Sequence, residues 1–223
     1  MNAVITYIFG ENKEILREPI TVMDNTEYIC VTDQPKLTSK RWNVVYDAIP
    51  EANCVRDKMV YVKYNPFKYT DANKICVLDG TIHIIKSMSS IFDGLNRHEL
   101  LIKKHPQRTN LRDELLAWKN LRQLPDVITS TFNIMSMEDG IDLSNEFLIE
   151  SCVIGYQNTQ RIRMLCDIVM KYMKFIGIDN KLCPTNQCVL TYLLQRFKVD
   201  YGWLSQASFA IRYKHGSWFP ANR

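Results

Sequence analysis

The rhythm of apolar and polar positions changes part-way along the chain. Up to about residue 85, short apolar runs alternate with turn-rich or helix-compatible stretches. AVITYIF at 3–9 is β-branched and aromatic and stops at Gly10, and EYICVT at 27–32 stops at Asp33. WNVVYD at 42–47 and KICVLDG at 74–80 follow. All four are predicted strands. ENKEILREP predicts a short helix that Pro19 ends, and VRDKMVYVKY predicts another, ended by Pro66. Strands alternating with helical segments predict an α/β fold with a mostly parallel central sheet.

From about Ser87 the pattern is more helical. SMSSIFDGL is followed by LRDELLAWKNLRQL at 111–124, where Leu115, Trp118, Leu121 and Arg122 fall near helical spacing. Asp113 and Glu114 suit the positive end of that helix. FLIESCVIGY at 147–156 predicts one more strand, and TQRIRMLCDIVMKYMKFIG at 159–177 a long amphipathic helix closed by glycine. PTNQCVLTYLLQRF at 184–197 predicts a helix opened by proline. With no repeat, low-complexity tract or Ser/Gly linker, the 223 residues are expected to form a single domain, divided into a half at 1–85 and a more helical half at 86–223.

Composition leaves that picture standing. The hydrophobic share of 46% and charged share of 23% are those of a globular chain, not a disordered, collagenous or coiled-coil one. No apolar run is long enough to span a bilayer and no basic region precedes the first strand, so a cytoplasmic protein is expected. The net charge of +4 is too mild to name a nucleic-acid partner. Seven cysteines lie mostly in apolar runs with no CxxC, which predicts buried free thiols over disulfides or zinc ligands.

In a parallel sheet, ligands bind beyond the carboxyl ends of the strands. The residues at those ends are Thr6, Tyr7, Phe9 and Gly10, then Thr32 with Asp33, then Asp79 with Gly80 and Thr81. Asp79 delivers a carboxylate beside a glycine, an arrangement that suits a metal-bound diphosphate. Asp-Gly is also a common hairpin turn, and the dipeptide leaves both readings open. Lys103, Lys104, His105 and Arg108 around a proline read as an anion site or as a solvated basic loop. His215 reads as an exposed tail histidine or as a metal ligand; His83 and His98 read as structural or surface residues. The signatures of dinucleotide, P-loop, zincin and nucleophile-elbow sites are absent.

Seven phrases, in order, resemble a glycosyltransferase-like family first catalogued as a domain of unknown function, with members in bacterial surface-polysaccharide loci and among plant mucilage-related proteins. They are YIFG with REP, YICVTDQPKLTSKRWNVV, KYNPFKY, LDGTIHI, HPQRTNLRDE, IESCVIGYQN and PTNQCVLTYLL. Three features depart from the family pattern: Phe67 stands where histidine is usual, Asn186 where aspartate is common, and Asp79-Gly80-Thr81 where the family has a DXD metal motif.

The resemblance implies a GT-A-like fold and transfer of a sugar from a nucleotide-diphospho-sugar to an acceptor hydroxyl, with 1–85 as the nucleotide-binding half and 86–223 as the sugar and acceptor half. It implies that the first strand end and Asp33 hold the nucleoside, and that Asp79, with His215, holds Mn²⁺ or Mg²⁺ across the phosphates. Lys63, His105 and Arg108, and more weakly Arg56 and Lys58, are candidates for the same charge neutralisation. Glu150, and the pair Asn186 and Gln187, are candidates for sugar and acceptor contacts, with Glu150 as the base if one is used. The acceptor is a glycan, or a hydroxymethylated base in DNA reached through the basic loop and tail. The rival reading is a non-catalytic nucleotide- or glycan-binding module. Oligomeric state does not follow from the sequence.

Overall fold

β1 (Asn2–Ile8) is buried at every position after Asn2, as a strand covered on both faces must be. The computed structural model describes residues 1–10, 15–122, 125–176, 186–204, 210–214 and 217–219, with backbone alone for 121, 122 and the residues from 210 onward. β2 (Thr26–Thr32), β3 (Asn43–Tyr46) and β4 (Lys74–Leu78) are the other strands expected in the first half. α1 (Val55–Tyr64) crosses between β3 and β4 and gives way to a 3-10 turn at Pro66–Lys68.

β5 (Ile82–Ile84), α2 (Ser89–Gly94) and β6 (Leu100–Lys104) follow, then α3 (Leu111–Arg122) and α4 (Asp126–Asp139). β7 (Ile149–Gln157), α5 (Gln160–Phe175), α6 (Asn186–Phe197), β8 (Tyr201–Trp203), β9 (Ala210–Lys214) and β10 (Ser217–Phe219) complete the described elements. The hydroxyl of Thr159 accepts the Ile162 amide and so caps the start of α5.

The central sheet has seven strands in the order β3-β2-β1-β4-β7-β6-β8. β1 to β4 are mutually parallel, β7 runs antiparallel to both neighbours, and β6 and β8 run with the first four. This is the α/β, mostly parallel sheet with flanking helices that the apolar rhythm and the resemblance led us to expect. Alternation along β1 sends Ala3, Ile5 and Tyr7, with Phe9 just beyond, to the face packed by α1 and α3–α6. It sends Val4 and Ile8 to the face covered by α2 and β5.

Two local expectations are corrected. Residues 15–19 of the ENKEILREP stretch form no helix; Arg17 instead gives its carbonyl to the Trp42 indole at 2.9 Å, tying the segment across the sheet. Lys103 and Lys104 are not loop residues but end β6, because Leu100, Leu101 and Ile102 before them are buried against β7 and β8. The tail also carries strands, β9 pairing with β5 and with β10 in a second, three-stranded antiparallel sheet.

Candidate functional site

Strand direction brings the candidates together. β1, β2 and β4 end on one edge with Gly10, Asp33 and Asp79 just beyond them. Because β7 runs the other way, its first residues reach that same edge: the Asp79 amide donates to the Cys152 carbonyl at 2.9 Å. The end of β6 joins them, Lys103 lying opposite Glu150 in the register. Asp79 is thus both a turn residue, its carbonyl accepting the Ile82 amide at 2.8 Å, and a carboxylate on the carboxyl edge of the sheet.

At the first corner, Gly10 adopts φ +81, a conformation that glycine tolerates, and its amide donates to Asp33 Oδ1 at 2.9 Å. Lys58 of α1 meets Asp33 Oδ2 at 2.8 Å, and the Gln34 side chain donates to the Gly10 carbonyl at 2.6 Å. Burial by itself would raise the Asp33 carboxyl, but the Lys58 ammonium and the Gly10 amide outweigh it and hold the group below the usual carboxylate range.

At the centre, the Tyr7 hydroxyl donates to Asp79 Oδ1, and Lys63 Nζ lies 2.9 Å from the same oxygen. Lys63, in the last turn of α1, also reaches Ser151 Oγ at 3.5 Å. Ser151 in turn donates to Asn186 Oδ1 at 2.8 Å, and Tyr64 donates to the Asn186 carbonyl at 3.3 Å. Gly80 and Thr81 occupy the half-buried turn after Asp79.

On the far side, Lys103 donates to Glu150 Oε2 at 2.7 Å. His105 and Arg108 converge on Glu114, whose side chain is fully shielded: Arg108 donates through Nε, and His105 Nε2 lies 3.9 Å away. Trp118 Nε1 donates to the other Glu114 oxygen at 2.7 Å, and Gln187 donates there as well. His105 Nδ1 accepts the amides of Gln107 and Arg108 at 3.2 and 3.0 Å, and its Nε2 lies 3.3 Å from the Arg108 guanidinium. Burial, which outweighs the pull of Glu114, lowers the His105 pKa and keeps that ring neutral at pH 7.

Three predicted ligand residues serve the fold instead. Thr6 is buried inside the sheet and gives its hydroxyl to the Leu78 carbonyl at 3.3 Å, and Thr32 Oγ1 accepts the Gln34 amide at 3.0 Å in the turn after β2. Phe9 is buried and stacks near Tyr7 with ring centroids 6.3 Å apart. Of the four basic residues, Lys103, His105 and Arg108 face carboxylates, while Lys104 is exposed. His83 and His98 are structural: His83 meets the Glu18 carbonyl at 2.9 Å and His98 the Asp200 carboxylate at 3.3 Å. His215 lies outside the described residues.

Sequence reasoning passed over Glu114 and Ser151. Glu114 suits the positive end of α3, yet Leu111, Glu114 and Leu115, with half-buried Trp118, follow the spacing of one inward stripe. An acid in such a stripe is the signal that was available. Ser151 carries none, because its neighbours arrive from α1 and α6.

The resemblance implies a divalent metal held by Asp79 and His215. The Asp79 oxygen already holds an ammonium and a phenol, and no three His, Cys, Asp or Glu side chains are grouped as a metal site among the described residues. The described part of the donor set does not fit a resident divalent cation; His215, the other implied ligand, lies outside it.

No protein-family model matches the chain, and no curated protein matches it in sequence. Solved structures do match it. The fold is similar to that of mouse xyloside xylosyltransferase 1 in its apo form, at 8% identity and a TM-score of 0.53, over 92% of this chain and 86% of that one. It also aligns with the glycosyltransferase GlyE of Streptococcus pneumoniae TIGR4, at 9% identity and a TM-score of 0.48, over 93% of this chain; the chain spans 46% of GlyE's length. At such identities the likeness to the mouse enzyme is one of fold. No described helix is long and apolar enough to cross a membrane.

Proposed function

We propose that the protein transfers a sugar from a nucleotide-diphospho-sugar to an acceptor hydroxyl. The observation that carries this reading is the convergence of Asp33 with Lys58, Asp79 with Lys63, and Glu150 with Lys103 on the carboxyl edge of a sheet shared in fold with a xylosyltransferase. That edge is where α/β sheets bind nucleotides. Structural likeness supports the fold, and the assembled charges support the chemistry.

In this reading Gly10 and Asp33 hold the nucleoside, Asp33 accepting from base or ribose. The diphosphate lies over Asp79 and Lys63. The bond between the anomeric carbon and the phosphate oxygen breaks with its electron pair going to the diphosphate, and basic side chains stabilise that charge. The acceptor hydroxyl forms the new bond to the anomeric carbon and gives up its proton, for which Glu150 is the nearest candidate base. Asn186 and Gln187 are engaged by Ser151 and Glu114, so their part is to position those residues beside the sugar.

A glycan is the acceptor that the edge suits. Of the basic groups that the DNA reading uses, Lys103 is neutralised by Glu150, Lys104 is exposed, and the side chains of the tail lie outside the described residues.

The test is release of nucleoside diphosphate from a panel of UDP- and GDP-sugars, with and without glycan acceptors. Turnover is expected with one donor, and Asp79→Ala, folded by circular dichroism, should lose it. Undiminished turnover in that variant would sink the assignment, and nucleotide binding without turnover would favour a binding module.

A further inference from the structure

We propose that Lys63, not a divalent metal, is the counter-ion of the donor diphosphate, so that transfer proceeds in the presence of a chelator; the proposal rests on the glycosyl-transfer reading above. Lys63 is the buried cation at the centre of the edge, its side chain only 6% exposed. Its backbone is fixed as well, the Lys63 carbonyl accepting the Tyr156 hydroxyl at 3.2 Å. An ammonium has three donors. Asp79 and Ser151 take two of them among the described residues, at 2.9 and 3.5 Å, which leaves one for a phosphate oxygen.

The same geometry disfavours a metal. A divalent cation coordinated by Asp79 would sit about 2 Å from the carboxylate oxygen. The Lys63 ammonium already lies 2.9 Å from that oxygen. The two positive charges would be neighbours in a site largely shielded from water, where screening is weak. A diphosphate meets the opposite situation. When it arrives, the ammonium gains a doubly charged partner, and Asp79 keeps the Tyr7 hydroxyl as its donor. Asp79 thereby acts as the positioning residue that holds Lys63 at the edge until the donor binds.

Bond making and breaking are those given above; Lys63 contributes charge and moves no proton. The experiment measures donor turnover by the wild-type chain in excess EDTA and in Mn²⁺, together with the thermal shift produced by UDP and GDP under the same two conditions. Turnover in EDTA within about twofold of that in Mn²⁺ is expected, with Lys63→Met losing about a hundredfold or more and Lys63→Arg recovering part of the loss. Turnover abolished by EDTA and restored by Mn²⁺ overturns the proposal and leaves glycosyl transfer standing. If no donor turns over, stabilisation by a nucleoside diphosphate in EDTA that Lys63→Met removes still supports Lys63 as counter-ion. Stabilisation that requires Mn²⁺, or none in either condition, overturns it. Should Lys63→Met fail to fold, the wild-type comparison of EDTA with Mn²⁺ decides by itself.

Discussion

Arg108 donates through its Nε to Glu114, a carboxylate that the surrounding chain shields completely from solvent. That contact joins the loop after β6 to α3, and the other Glu114 oxygen, with Trp118 and Gln187 on it, extends the join to α6. One acid therefore holds together the three segments that frame the far side of the edge.

Removing this acid should be costly. Loss of one partner from a buried, hydrogen-bonded charge pair strands the other, and the penalty is about 3 kcal/mol or more. Glu114→Ala should lower the unfolding free energy by that order in urea denaturation. A change below about 1 kcal/mol would mean that Arg108 finds water or another acceptor in its place.

Acid should weaken the fold through Asp33. Its folded carboxyl titrates below the usual range, so at low pH the unfolded chain binds the proton more readily than the native one. The stabilisation is fully present above an unfolded pKa of about 4 and is lost as pH falls through the lower, folded value. Wild-type protein should therefore show a falling urea midpoint below about pH 4, and Asp33→Asn should flatten that limb. Identical acid limbs in the two proteins would show that the Asp33 contacts with Lys58 and Gly10 do not stabilise the native state.

The cysteines should be chemically quiet in the native state. Cys30, Cys76, Cys152, Cys166 and Cys188 are buried as free thiols and Cys54 is half-buried. Burial pushes the Cys30 thiol up to about 12 and raises Cys76 and Cys166 well above the ordinary thiol range. In a Cys183→Ser background, which removes the cysteine outside the described residues, an aromatic disulfide reagent should label Cys54 first and the other five only after unfolding. Rapid labelling of all six would point to an opening of the sheet that the buried strands do not suggest.

The apolar runs by themselves determined the strands β1 to β4 and β7, the parallel character of the sheet, and the placement of Asp33 and Asp79 at its carboxyl edge. These properties are local: a run of β-branched and aromatic residues buried on both faces is written in consecutive positions, and the residue that follows it lies at the strand's end. Only the tertiary structure decided that Glu150 shares that edge, because the antiparallel direction of β7 is a choice of partner and not of sequence pattern. Lys63 is sixteen positions before Asp79, and Glu114 is joined by Gln187 from α6; these pairings depend on which helices cover which face. A charged side chain that will be buried against a distant carboxylate reads, in the sequence, like any solvated one, since the energy that separates the two cases comes from desolvation and pairing that exist only in the folded chain.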